Sequence, residues 1–101
     1  MHNISDKSAT DREILREIGE RLQALRRARG LTQGQAAEQA GLGRNTLYRA
    51  EQGENPTLLT LVRLLRVYGR LAALESFIPP LEVSPMARLK ARKGESRGGT
   101  P

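Results

Sequence analysis

Arginine and asparagine are the residues here whose types and spacing could do chemistry, and that chemistry is recognition. There is no cysteine, and the one histidine is His2, beside the N-terminus, so thiolate chemistry, disulfides and cysteine-zinc sites are excluded and no metal site is expected. The sequence has no glycine-rich phosphate cradle and no carboxylate pair in a plausible pocket, which argues against an enzyme and gives no cofactor to expect. What remains is Arg44-Asn45-Thr46, followed by Tyr48 and Arg49. A guanidinium can fork onto guanine O6 and N7 and a carboxamide onto adenine N6 and N7, each good bidentate pair giving about 1 to 3 kcal/mol of discrimination. Thr46 and Tyr48 could add phosphate or methyl contacts, with Tyr48 equally able to pack on its own helix surface.

The charge balance points the same way. Seventeen Lys and Arg stand against 11 Asp and Glu, a net charge of +6 with a pI near 10.8, which favours polyanionic partners such as nucleic acid or an acidic surface. A solvated, soluble surface would have the same composition. The first ten residues carry no apolar run of the secretory kind. The most apolar stretch, 58–78, is interrupted by Arg63, Arg66, Arg70 and Glu75, each costing roughly 2.5 to 3.5 kcal/mol at a bilayer centre. A cytosolic protein is therefore expected.

These residues must be positioned by helices. With 101 residues, 38% hydrophobic and 3% aromatic, the chain can form one small domain with a core of Leu, Ile, Val and Ala, which suits a helical bundle better than a β-sandwich. Ile14, Ile18, Leu22 and Leu25 recur at helical spacing, Thr10 and Glu13 form a capping box ahead of them, and Gly30 closes the helix after Arg26, Arg27 and Arg29. The helix dipole sufficiently explains Arg27 and Arg29. Thr32 and Gln35 make a second capping box, opening a short helix over 33–40 whose apolar face is only Ala36, Ala37 and Ala40. A turn at 41–43 leads to a third helix over 44–52, with Leu47 and Ala50 inward and Gly53 at its close.

Two helices of about two turns joined by a three-residue turn containing Gly are the signature of a helix-turn-helix. In that motif the N-terminal part of the second helix meets base edges in the major groove, so Arg44, Asn45 and Arg49 become the candidate readers. Arg44 opposes the helix dipole, a poor place for stability and a good one for a polyanion. Gln33 opens the first helix of the pair, where unpaired N–H groups can receive a phosphate and its amide can reinforce the clamp.

Asn55-Pro56-Thr57 starts a fourth helix, and Leu58, Leu61, Val62, Leu64, Leu65 and Val67 span an arc wide enough to predict a central strut ending at Tyr68-Gly69. Residues 71–78 can form a fifth helix, stopped by Pro79-Pro80. There is no strand-like alternation and no internal repeat. The organisation expected is a flexible N-terminus (1–9), a helix-turn-helix domain (10–78) and a basic tail (79–101), within which Ser84-Pro85-Met86 and Leu89 could support a short helix at 85–93 against a partner.

The run 31–42, from Leu31-Thr32-Gln33 to Ala40-Gly41-Leu42, together with 44–53 from Arg44-Asn45-Thr46 to Glu51-Gln52-Gly53, resembles the lambda-repressor/Cro-like (XRE) helix-turn-helix family. The resemblance extends over roughly 18–71 and includes the Asn-Pro-Thr-Leu start of the fourth helix. It implies an all-α, compact five-helix bundle, in agreement with the helix count. It further implies that Gln33 contacts the DNA backbone and that Arg26 and Glu51 form an internal ion pair joining the first helix to the end of the third. Gly34, Ala36 and Gly43 stand where the family commonly has Glu, Leu and Ser. Gly34 alone is expected to cost about 1 kcal/mol relative to Ala. A lightly packed, poorly capped reading unit is expected, drawing support from the fourth helix and a partner subunit.

The resulting functional expectation is a sequence-specific, non-enzymatic transcriptional regulator that binds a pseudo-palindromic operator in double-stranded DNA as a homodimer, with Leu71, Leu74, Phe77 and Ile78 as candidate dimer contacts. The Phe-Ile-Pro-Pro sequence and the tail also resemble HipB-like antitoxin regulators, which implies a HipA-type kinase as a possible partner and a repressor role. The alternative is a protein-interaction adaptor or coactivator whose basic tail binds nucleic acid.

Overall fold

The computed structural model describes residues 4–81; the basic tail from residue 82, with the helix expected at 85–93, lies outside the described residues. Among those described, every regular element is helical. The first helix, α1 (Asp11–Ala28), starts at a complete capping box: the Thr10 hydroxyl accepts from the Glu13 N–H at 3.1 Å, and the Thr10 N–H donates to the Glu13 carboxylate at 2.9 Å. Thr32 and Gln35 repeat the arrangement at the start of α2 (Gln33–Ala40), with the same two distances. Gly41 closes α2 at φ 69°, a left-handed position suited to glycine. Next comes α3 (Arg44–Glu51), whose N-cap Gly43 offers no side chain. Thr57 caps α4 (Leu58–Val67) by accepting from the Thr60 N–H at 3.1 Å.

The buried core consists of Leu22 from α1, Ala36, Ala37 and Ala40 from α2, Leu47 and Ala50 from α3, and Leu64 and Tyr68 from the α4 end. Ile18, Leu25, Leu31, Leu42, Leu61 and Val67 pack around it, half-buried. Full burial of a side chain such as Leu47 or Leu64 stabilises by roughly 1.5 to 3 kcal/mol.

Packing corrects four expectations. The face of α1 that is buried is not the Ile14-Ile18-Leu22-Leu25 stripe alone: it is rotated toward α3 and centres on Glu17, Gly19, Leu22 and Arg26. Glu17 is tolerated there because Arg21, one turn on, donates to it at 2.9 Å. The alanine face of α2 is not loosely packed, since Ala36 and Ala37 are 0% and 2% exposed. These small side chains pack the helix directly against α3 and α4.

The fourth helix is not a strut buried all round. Only Thr60 and Leu64 within it are buried, and Leu58 and Leu59 are each 57% exposed, because among the described residues α2 and α3 cover one side of α4 and leave Leu58 and Leu59 uncovered. The fifth helix is much shorter than 71–78. A 3-10 turn (Leu71–Ala73) runs into a single α-turn, α5 (Leu74–Phe77), with no buried residue in either. Ala72 and Ala73 provide no anchor for a longer helix, and Pro79-Pro80 prevent continuation.

Candidate nucleic-acid interface

The geometry of α3 is set first by two glycines. A Cβ built on Gly19 would stand 2.5 Å from the Glu51 carbonyl oxygen and 2.9 Å from that of Ala50, so α1 and the end of α3 meet backbone to backbone. Gly53, at φ 78°, returns the approach: a Cβ there would lie 2.8 Å from the Arg16 Cα. No larger residue fits either place without moving a helix.

Beside this junction lies a buried polar cluster centred on Glu51. Arg26 donates through Nε to one carboxylate oxygen at 2.7 Å and through Nη2 to the other at 3.1 Å, while its Nη1 donates to the Leu31 carbonyl at 2.8 Å. This fork ties α1, the start of α2 and the end of α3 together. The hydrogen bond to Glu51 raises the Arg26 pKa against the opposing effect of burial. Gln33 joins the cluster, its amide nitrogen donating to Glu51 Oε1 at 3.1 Å. Tyr68 is enclosed nearby. Burial, reinforced by the negative charge of Glu51 and opposed by Arg26, pushes its phenol up to about 12, and its hydroxyl finds no hydrogen-bond partner among the described residues.

With its inner face held by Leu47, Ala50 and Glu51, α3 turns the remaining side chains outward. Arg44, Asn45, Thr46, Tyr48 and Arg49 are all exposed. Residues four apart on a helix are neighbours, so Arg44 lies in one row with Tyr48 and Asn45 in another with Arg49. None of these side chains makes a hydrogen bond or ion pair among the described residues. The face can therefore offer two guanidinium forks, a carboxamide and two hydroxyls to a ligand at once.

Other arginines are already engaged. Arg63 of α4 donates to the Gly41 carbonyl at 3.1 Å, bracing the turn between α2 and α3. Arg29 donates through Nε and Nη2 to the Tyr68 carbonyl at 3.2 and 2.9 Å, satisfying the C-terminal end of α4. Its role is thus a bond to a second helix, beyond the dipole of its own. Sequence spacing alone could not find either bond, because the partners are 22 and 39 residues away. A similar limit applies to Gln33: its place at the helix start predicts an outward amide, whereas the amide reaches inward to Glu51, leaving the backbone N–H groups at the start of α2 as that helix's outward donors.

On another part of the surface, Leu71, Phe77 and Ile78 are 38%, 56% and 71% exposed. Leu74 and Phe77 line an apolar groove of about 360 Å³ with Ile18, Leu25, Leu61 and Leu65. No helix among the described residues is long and apolar enough to cross a membrane.

Fold and site together describe a helix-turn-helix module with an exposed, cationic outer face on its second helix. A family model described as a helix-turn-helix domain matches residues 17–76. The HTH-type transcriptional regulator PuuR of Escherichia coli (strain K12) is 41% identical over 63 residues, which cover 61% of this chain and 34% of that protein, and PuuR of Shigella flexneri matches to the same extent. The chain thus spans about a third of the length of the curated relatives it matches. It belongs to the XRE-like helix-turn-helix family.

Proposed function

We propose that this chain is a sequence-specific DNA-binding transcriptional regulator, without enzymatic activity, that places α3 in the major groove. The observation that carries this reading is the group of exposed side chains Arg44, Asn45 and Arg49, without partners among the described residues, on a helix whose opposite face is locked by Leu47 and Glu51. Side chains that are free while their backbone is fixed meet the requirement of base readout, which needs forks held in register. The relatives named as transcriptional regulators support the same class. Gln33 and Gly34 at the start of α2 would receive a phosphate through their backbone N–H groups, and Thr46 and Tyr48 would add contacts at the edge of the groove.

One recognition helix reads few base pairs, so the functional unit is a homodimer on a pseudo-palindromic site, with half-site centres about 34 to 36 Å apart or a multiple of that. Leu71, Leu74, Phe77 and Ile78 supply exposed apolar surface for that contact.

Selection of bound sites from random duplex DNA, followed by footprinting, tests both parts. An enriched two-fold-symmetric sequence is expected, and Arg49→Ala is expected to lose about 1 to 3 kcal/mol and relax the preference at a single position of each half-site. Uniform weakening on all sequences would make Arg49 a phosphate contact only. Recovery of no enriched sequence at moderate salt would remove the specific reading altogether, since charge alone gives non-specific binding.

A further inference from the structure

Gly34 is the second residue of α2, a place where an acidic residue is favoured by the helix dipole and glycine is among the weakest choices. No close backbone approach requires it: the nearest atoms a Cβ would meet all belong to one side chain, that of Arg44 on α3. They are Cζ at 3.8 Å and Nε and Nη2 at 3.9 Å, ordinary van der Waals distances. The Arg44 guanidinium therefore stands beside the side-chain-free position 34, with no carboxylate or carbonyl among the described residues holding it.

We propose that Gly34 is a positioning residue for Arg44: by presenting no side chain, it leaves the guanidinium of the recognition helix supported yet free to engage DNA. This rests on the reading of Arg44 as a DNA contact. A Cβ at residue 34 would lie 3.8 to 3.9 Å from the guanidinium atoms, so the carboxylate of an acidic side chain placed there comes within reach of Arg44. The pair would satisfy the helix dipole and the arginine together, and would withdraw Arg44 from the groove. A methyl group is too short to do so. The identity of residue 34 thus sets whether the first residue of the recognition helix is available, and the DNA preference of this chain depends on a position that does not itself touch a base.

The test uses the full chain as wild type, Gly34→Ala, Gly34→Glu, Arg44→Ala and the double variant Gly34→Glu/Arg44→Ala. In the free protein, the Arg44 Nε–H resonance, assigned by its loss in Arg44→Ala, is expected to shift and exchange more slowly with water in Gly34→Glu, and to stay near its wild-type position in Gly34→Ala. In site selection, Gly34→Glu is expected to lose the Arg44-dependent base preference by about tenfold or more, Gly34→Ala to keep it, and the double variant to match Arg44→Ala. An unmoved Arg44 resonance in Gly34→Glu overturns the proposal. So does a Gly34→Glu effect on base preference that persists undiminished without Arg44. A resonance that moves while Arg44→Ala leaves every base preference intact upholds control of Arg44 by residue 34 and sinks the assignment of Arg44 as a base reader.

Discussion

The two ends of α3 are both bordered by glycine, and the glycines do opposite things. At the C-terminal end a methyl group on Gly19 would stand 2.5 Å from the Glu51 carbonyl oxygen, so helix backbones are pressed together and nothing can be added. At the N-terminal end the nearest neighbour that a methyl group on Gly34 or on Gly43 would meet, among the described residues outside its own helix backbone, lies at 3.8 Å and is in each case a side-chain atom. The C-terminal end also carries the Arg26-Glu51-Gln33 cluster, whereas the N-terminal end carries the exposed Arg44 and Asn45 and an uncapped first turn. The difference separates two tasks along eight residues: one end holds the helix in the bundle and the other meets the ligand. Stability lost at one end should abolish function through the fold, and stability gained at the other should leave the fold untouched.

The largest effect is expected at the buried pair. Glu51→Ala strands the Arg26 charge and is expected to lower unfolding free energy by about 3 to 5 kcal/mol, enough to unfold a small domain. Denaturation followed by circular dichroism checks it, and a loss of under 1 kcal/mol would show that the cluster does not brace α3. Gly19→Ala comes next, at about 1 to 3 kcal/mol or more, because α1 must separate from α3 to admit the methyl group. If that variant proves as stable as the wild type, the close junction is wrong and the contrast between the two ends disappears.

Tyr68 links the same cluster to pH. Burial pushes its phenol up to about 12 in the folded chain, against about 10 when unfolded. Between these values the folded state holds the proton that the unfolded state has released, so stability falls as pH rises. The contribution is fully present below pH 10 and amounts to roughly 2 to 3 kcal/mol lost by pH 12. Tyr68→Phe removes this dependence, and because the hydroxyl has no partner among the described residues, the variant should be no less stable at neutral pH. An alkaline stability curve unchanged by Tyr68→Phe would refute the assignment. The smallest effects belong to the open end. Gly34→Ala should raise stability by up to about 1 kcal/mol, and Gly43→Ser, by supplying a cap, by roughly a few tenths. A loss of stability in either would mean that this end is less open than it looks.

Much of this was legible in the residues. The capping boxes at Thr10 and Thr32, the turn at 41–43 and the outward placement of Arg44, Asn45 and Arg49 are local matters, decided by spacings of three or four residues. What could not be read depends on what a helix packs against. Gly19 sits in the middle of a periodic helix and carries no sign that another backbone will arrive there. Glu17 reads as solvent-facing until Arg21 and α3 are placed around it. Tyr68 reads as a helix end, and its burial follows only from the meeting of α1, α3 and α4. The outer side of α4 failed for the converse reason: its leucines promise a cover that the described helices do not provide.

The Arg26-Glu51 fork also bears on how sequences of this kind can change. Replacing either residue alone leaves a stranded partner, whereas a matched apolar pair in the same space can be as stable or more so. Passage from one solution to the other therefore crosses a valley of unfolded single variants. Drift at one of these two positions is conditional on the other, a coupling between residues 25 apart that was set when Glu51 turned inward.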